Sequence, residues 1–207
     1  MKKILAITVL LIFIFSCNNQ NKKTEEILSK LKSDNLTENE INEILESLPG
    51  NQGTFEIESK NPKFKIKFPV SNVKETTTYQ IIDNEEYEIA HYTANLQGKE
   101  HVNVAYQLDY LFLPKINSTD EINDLFNDQR EYLTSATNSK IEFEKIIELE
   151  GVPGRHLYLT IDNSNLKANY KMYFNNGVFY TLEVITEEGN LFNKEISKFF
   201  NSFKITK

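Results

Sequence analysis

Residues 168–184 read ANYKMYFNNGVFYTLEV and carry the clearest strand pattern of the chain. Two apolar runs flank Asn175-Asn176-Gly177, and Asn-Gly between such runs is a hairpin signal. A two-residue loop would mix apolar and polar residues on both faces, whereas a three-residue loop with Gly177 left-handed gives one wholly apolar face. We therefore predict the three-residue loop. It pairs Phe174 with Val178, Met172 with Tyr180, Tyr170 with Leu182 and Ala168 with Val184.

A second hairpin is predicted around Gly98-Lys99. Glycine suits the first position of a two-residue type II′ loop. The resulting register gives one almost wholly apolar face and one mixed face, and a one-residue slip would destroy that sorting. It places Tyr87, Ile89, His91 and Thr93 opposite Tyr110, Leu108, Tyr106 and Val104, with Ala94 opposite Asn103 and Ala90 opposite Gln107.

Two amphipathic helices are predicted, one between the hairpins and one closing the chain. Ser118 and Glu121 form a capping box at the start of the first helix. Apolar residues then recur at helical spacing in both segments. They are Ile122, Leu125, Phe126, Tyr132, Leu133 and Ala136 in the first helix, and Leu191, Phe192, Ile196, Phe199, Phe200 and Phe203 in the second.

Further strands are marked by alternating apolar residues. Phe64, Ile66 and Phe68 indicate a strand ending at Pro69, and two more strands over 141–149 and 157–161 flank a turn at Gly151-Val152-Pro153-Gly154. Strands in hairpins interrupted by separate helices indicate an antiparallel α+β domain rather than a βαβ array. We assign that domain to residues 51–207, because about 150 residues suffice to bury a sizeable core.

The N-terminus predicts export. Lys2 and Lys3 precede an apolar run, 4–15, that is too short to span a bilayer and is typical of a signal peptide. The run ends at Ser16-Cys17, and this small residue before the only cysteine resembles a bacterial lipobox. The resemblance implies a signal peptide over 1–16, cleavage before Cys17 and acylation of its sulfur and amino group. The mature chain would then be anchored by lipid in the outer membrane. Asn18 is not the Asp of an inner-membrane retention signal, and the absence of an acidic run after Cys17 favours the periplasmic face.

Residues 17–50 are interpreted as a lipidated tether and a short helical arm. Within 24–48 two short helices are predicted, and the second has a capping box formed by Thr37 and Glu40. Its apolar stripe consists of Ile41, Ile44, Leu45 and Leu48, and Pro49-Gly50 ends it. We expect the arm to pack on the domain or on a partner.

Composition excludes several classes of protein. The 207 residues carry 23 Lys+Arg against 30 Asp+Glu, a net charge of −7, with no basic cluster, so nucleic-acid binding is not expected. One cysteine excludes an intramolecular disulfide and a cysteine-based zinc cage. We also expect no bound cofactor, because the sequence lacks phosphate-loop, dinucleotide-binding and zincin motifs.

Three segments together resemble the PsbP-like (DcrB-like) family. Lys63-Phe64-Lys65-Ile66-Lys67-Phe68-Pro69 is similar to its opening strand, Gly151-Val152-Pro153-Gly154-Arg155 to its glycine-proline turn, and 198–205 to its closing helix. Their order and spacing agree over about two thirds of the chain. The resemblance implies an antiparallel sheet flanked by helices on both sides. The family is functionally scattered, so it implies no functional residue.

The three histidines are the main candidates for chemistry. His91 is predicted to be a core histidine with one hydrogen-bond partner or, alternatively, a buried proton switch. His101 points to the other face of its hairpin in the predicted register. His156 is interpreted as part of an exposed acidic edge, and a site with Glu148 or Glu150 is the alternative. Arg155 is expected to pair with an acid of 141–150.

No catalytic, cofactor or metal residue is assigned, and Cys17 is the one predicted modification site. The first hypothesis is a non-catalytic envelope lipoprotein that binds a protein partner. The second is a periplasmic domain that binds a small molecule or a metal, and the third is a hydrolase whose site cannot be recognised in the sequence.

Overall fold

The computed structural model describes residues 54–70, 72–82, 85–96, 103–113, 115–116 and 118–206. The predicted signal peptide, Cys17, the helical arm, the Gly98-Lys99 turn and His101 lie outside these residues.

Within the described residues the chain forms ten strands and two helices. They follow one another as β1 (Phe55–Lys60), β2 (Lys63–Phe68), β3 (Lys74–Ile82), β4 (Glu85–Asn95), β5 (Asn103–Phe112), α1 (Thr119–Ala136), β6 (Ser139–Leu149), β7 (Val152–Ile161), β8 (Leu166–Asn175), β9 (Val178–Glu187), α2 (Lys194–Ser202) and β10 (Lys204–Ile205). The described strands build a seven-stranded sheet in the order β3-β4-β5-β9-β8-β7-β6 and a three-stranded sheet in the order β1-β2-β10. All their pairings are antiparallel, so the predicted α+β class is confirmed.

The apolar core consists of two clusters, one on each face of the seven-stranded sheet. Alternate side chains of a strand point to opposite faces, and on β9 Phe179 belongs to one cluster and Leu182 to the other. We name these the α1 face and the α2 face by the helix that contributes to each. The α1 face receives Leu125, Phe126 and Leu133, and the α2 face receives Ile196, Phe199 and Phe200 together with Phe64, Ile66 and Phe68 of β2. The central strands β8 and β9 are therefore buried on both sides.

The predicted three-residue loop of the last hairpin is wrong. Asn175 pairs with Val178, so the loop consists of Asn176 and Gly177, with φ of 49° and 78°. Two left-handed residues in succession form a type I′ turn, whose twist matches that of the flanking strands. The partners consequently shift by one: Phe174 faces Phe179, Met172 faces Thr181, Tyr170 faces Glu183 and Ala168 faces Ile185.

The predicted register of the β4–β5 hairpin is also wrong. Ile89 lies opposite Leu111 rather than Leu108, a shift of three residues. An odd shift exchanges the two faces of one strand relative to the other. His91 therefore lies opposite Asp109, not Tyr106. The Leu96 amide donates to the carbonyl of Val104 at 2.8 Å, so the connection is longer than the predicted Gly98-Lys99 loop.

The turn between β6 and β7 lies earlier than predicted. Leu149 pairs with Val152 across Glu150 and Gly151, whose φ values are 51° and 87°. Pro153 and Gly154 consequently lie inside β7. An irregularity of β6 between Ile141 and Phe143 breaks the alternation of that strand.

Both helices begin at a capped residue. The capping box predicted for α1 is confirmed: Ser118 accepts from the Glu121 amide, and the Glu121 carboxylate accepts from the Ser118 amide. Asn193, which is not among the predicted caps, accepts from the amides of Glu195 and Ile196 at the start of α2. At the other end of α2 the Ser202 hydroxyl accepts from the Lys67 amide at 2.8 Å, which fixes the helix to β2.

Replacing Ser118 with alanine is expected to lower the free energy of unfolding by about 1 kcal/mol, since the Glu121 amide loses its acceptor. Ser135→Ala, in the exposed last turn of α1, is the matched control and should change stability by less than about 0.5 kcal/mol. Urea unfolding of both variants checks this. Equal losses in the two variants would contradict a specific capping role.

Candidate functional site

The first candidate surface is β3, an edge strand of the seven-stranded sheet. Among the described residues it pairs with β4 alone. An edge strand presents unpaired backbone N–H and C=O groups that can accept another strand. The sequence patterns do not predict a strand here, although Thr76, Thr77, Thr78 and Tyr79 are residue types that favour strands.

Two large apolar side chains project from this edge. Tyr79 is 64% exposed and Ile81 is 74% exposed. They lie opposite Glu88 and Glu86 of β4, which are also exposed. Within the described residues the edge therefore combines unpaired backbone, exposed apolar surface and acidic side chains, all in one strand pair.

A polar array of Thr78, His91 and Asp109 lies next to this edge on the α1 face. The Thr78 hydroxyl lies 2.7 Å from His91 Nε2, and His91 Nδ1 lies 2.7 Å from Asp109 Oδ1. His91 and Asp109 are buried, and Thr78 is exposed. The prediction of a core histidine is confirmed for His91, but it has two partners where one is expected.

The donors and acceptors of this array follow from its hydrogen-bond partners. Gln107 Nε2 donates to Asp109 Oδ2 at 2.7 Å, and in the tautomer with the ring hydrogen on Nδ1, His91 donates to Asp109 Oδ1. In that tautomer His91 Nε2 accepts from the Thr78 hydroxyl. Burial raises the pKa of Asp109, and the hydrogen bond from His91 opposes that rise.

A hydroxyl, an imidazole and a carboxylate in this order can activate a nucleophile. Thr78, however, occupies a regular position of β3 opposite Ile89. In α/β-hydrolases the nucleophilic serine instead lies on a strained turn that opens a helix, where backbone amides stabilise the oxyanion. The array here ties the side chain of an edge strand to the sheet interior.

A second buried polar pair lies deeper on the α1 face. The Tyr170 hydroxyl donates to Glu183 Oε1, and both residues are fully buried. Burial raises the pKa of Glu183 to about 8, and the nearby charge of Asp109 adds to the rise. Burial and the Glu183 charge together raise the pKa of Tyr170.

The exposed-edge interpretation of His156 is wrong. His156 is buried on the α2 face, its Nε2 lies 2.8 Å from Asn169 Oδ1, and its ring packs edge-to-face with Tyr158. Burial and the neighbouring charge of Lys171 hold its pKa well below the ordinary value. The alternative site does not form either, since the residue opposite His156 on β6 is Lys145, whereas Glu148 faces Pro153.

The expected pair of Arg155 with an acid of 141–150 is confirmed. Arg155 Nη1 bonds Glu144 Oε1 at 2.8 Å, and Arg130 Nε lies 2.9 Å from the other oxygen of the same carboxylate. Both arginines of the chain thus converge on Glu144. This carboxylate connects α1 to β6 and β7, which is a structural role.

In the part of the chain that the structure describes, no three side chains of His, Cys, Asp or Glu are grouped closely enough to hold a metal ion. Neither described helix has the length and apolar character needed to cross a membrane.

Comparison with known proteins gives only distant structural likenesses. No protein-family model matches the chain, and no curated protein matches it. It is similar to the solution structure of the cyanobacterial PsbP protein CyanoP from Synechocystis sp. PCC 6803, with a TM-score of 0.48, 10% identity, and coverage of 76% of this chain and 95% of that one. A Pseudomonas aeruginosa protein of unknown function, suggested to be a regulator, gives a TM-score of 0.36 at 8% identity over 67% of this chain and 85% of that one.

These values carry no argument about activity. A PsbP-like domain is among the structural neighbours, as the sequence resemblance leads one to expect. The antiparallel α+β fold rests on the strand pairings themselves.

Proposed function

We propose that this chain is a lipid-anchored, non-catalytic envelope module that binds an extended segment of another envelope protein along β3. Cys17 would hold it in the outer membrane facing the periplasm. Residues 51–207 would form a PsbP-like domain, with helices on both sides of the sheet. The observation that supports binding is the open β3 edge with Tyr79 and Ile81 exposed.

The edge favours a particular kind of partner. Unpaired strand backbone is satisfied by an added strand, and pockets or patches for alternate side chains provide specificity. Tyr79 and Ile81 alternate along β3 and would contact apolar side chains of the added strand. Glu86 and Glu88 beside them favour lysine or arginine in that strand.

The polar array fits a binding role. A threonine held by a buried imidazole keeps its rotamer before the partner arrives, which reduces the entropy lost on binding. Lys115, which pairs with Glu85, adds a fixed charge near the start of β4. We therefore assign Thr78, His91 and Asp109 the positioning of β3.

The experiment is photo-crosslinking in envelope membranes with the acylated full-length protein. A photoreactive phenylalanine analogue replaces Tyr79 in one variant and Ile146 in the other. Ile146 is the matched control because it is 72% exposed on β6, the opposite edge of the sheet. Position 79 should yield one crosslinked envelope protein, attached through an extended segment that contains apolar and basic residues.

A second variant, Tyr79→Lys with Ile81→Lys, should reduce recovery of that protein at least about tenfold. Ile146→Lys should leave recovery unchanged. Cys17→Ser should move the protein from the membrane to the soluble fraction and leave the domain folded. The binding proposal is wrong when positions 79 and 146 capture the same set of proteins, or when both capture none.

A further inference from the structure

A groove runs between α2 and the small sheet, on the side from which the N-terminal segment emerges. Its volume is about 470 Å³. The lining is Thr54, Lys67, Pro69, Lys194, Ser197, Lys198, Asn201 and Ser202. Thr54 is the first described residue, and Phe55 beside it is 44% exposed. The preceding chain therefore starts at the rim of this groove.

The groove is basic although the protein is acidic. Among the described residues its lining carries three lysines and no acidic side chain, against a net charge of −7 for the whole chain. Lys67 and Lys198 each have one carboxylate neighbour, Glu56 and Glu195, at 3.0 Å. Both lysines are exposed, and ion pairs at exposed lysines are weak and exchange readily with other anions.

The N-terminal arm has the complementary character. Residues 37–48, TENEINEILESL, contain four glutamates and no basic residue. Their predicted apolar stripe, Ile41, Ile44, Leu45 and Leu48, lies along one side of a helix and needs a surface to cover it. An isolated helix of this length is marginal in water, so packing against a surface would stabilise it.

We propose that residues 37–48 bind in this groove, with the apolar stripe toward Pro69 and the glutamates toward the lysines. Residues 49–53 join the arm to Thr54, and five extended residues reach up to about 17 Å, enough to place the arm over the groove. The free tether behind Cys17 would then shorten from 18–53 to 18–36. Docking would thus set how far the domain can move from the membrane.

The test is photo-crosslinking of the full mature protein in detergent, with a photoreactive phenylalanine analogue in place of Leu45 in every variant, read by mass spectrometry. Equal amounts of light and isotopically heavy chains are mixed, so that crosslinks within a chain and between chains are distinguished. The protein with the wild-type groove should give intrachain crosslinks from position 45 to residues 194–202. Reversing the charge of the groove with Lys67→Glu, Lys194→Glu and Lys198→Glu should reduce arm-to-α2 crosslinks at least about tenfold.

Charge reversal of the arm provides the decisive rescue. Glu38→Lys, Glu43→Lys and Glu46→Lys, which leave the Glu40 cap intact, should restore the crosslinks when combined with the reversed groove. Lys60→Glu with Lys63→Glu is the matched control, because these lysines lie on the same small sheet at its far end. That control should keep the wild-type pattern.

Three results would overturn the proposal. Mixed-isotope crosslinks would mean that a second copy occupies the groove. Crosslinks that persist in the reversed groove would mean that charge does not direct the arm there. The third is a failed rescue in a double-reversed protein that melts at the wild-type temperature.

Discussion

Replacing Gly154 with alanine is expected to lower the free energy of unfolding by about 3 kcal/mol or more. Gly154 lies in β7 opposite Tyr173 of β8. A Cβ atom at this position would approach the Met172 carbonyl oxygen to 2.5 Å and the Tyr173 ring to 2.6 Å. Met172 and Tyr173 are themselves buried. Neither neighbour can move without disturbing the β7–β8 pairing, because one contact is to backbone and the ring packs on Phe203.

Gly151, three residues earlier, is the matched control. It has a φ of 87°, and a methyl group added there would meet no heavy atom within 4 Å. Gly151→Ala should cost about 1–2 kcal/mol through the left-handed backbone alone, and Gly151→Asn less, since asparagine tolerates that region. Gly154→Asn, in contrast, should be as damaging as Gly154→Ala. Chemical unfolding of the four variants separates the two causes, and equal losses at 151 and 154 would contradict the steric account.

These two glycines also show where sequence reasoning succeeds and fails. The motif Gly151-Val152-Pro153-Gly154 is predicted to form one turn. The structure uses Gly151 for the turn and Gly154 for a close approach of two strands. A glycine in the sequence is compatible with either a turn or a close approach of two strands, so only the strand pairing distinguishes the two.

Elements with one solvent face are predictable. The alternation of Phe64, Ile66 and Phe68 identifies β2, and all three side chains are fully buried. Ser118 and Glu121 identify the start of α1, because a capping box depends on residues close in sequence.

The hairpin registers are not predictable by the same reasoning. Sorting apolar from polar residues assumes that one face meets water, and β8 and β9 are buried on both faces. Lys171 and Glu183 are therefore buried, at 4% and 3% exposure. The Asn-Gly pair, a local signal for a type I′ turn, indicates the correct loop more reliably than face sorting.

The polar array cannot be derived from sequence for the same reason. His91 meets Asp109 only in the observed β4–β5 register, and Tyr170 meets Glu183 only in the observed β8–β9 register. A shift of three residues in one hairpin and of one in the other removes both contacts. Side-chain pairs between two strands depend on the register of those strands. The sequence specifies register weakly where both faces of the sheet are buried.

Replacing Glu183 with glutamine is expected to stabilise the protein at alkaline pH. Burial raises the pKa of Glu183 from 4.5 to about 8, so the native carboxyl keeps a proton that the unfolded chain has released over that interval. The native state then binds more protons than the unfolded state, and the free energy of unfolding falls as pH rises. The loss due to this group is about 1.4 kcal/mol per pH unit, on the order of 4–5 kcal/mol across the interval.

Glutamine removes this dependence and retains an oxygen that accepts the Tyr170 hydroxyl. Near pH 5 the variant and the wild type should differ by less than about 1 kcal/mol, whereas near pH 8.5 the variant should be more stable by about 3 kcal/mol. Urea unfolding from pH 5 to pH 9 measures both slopes, with Glu88→Gln, an exposed carboxylate on β4, as the control that leaves the slope unchanged. In both proteins Asp109 also makes the free energy of unfolding fall as pH rises, because its pKa is raised as well. The difference between the two curves therefore reports Glu183 together with its charge coupling to Asp109, and parallel curves would mean that Glu183 is already ionised in the folded protein at pH 5.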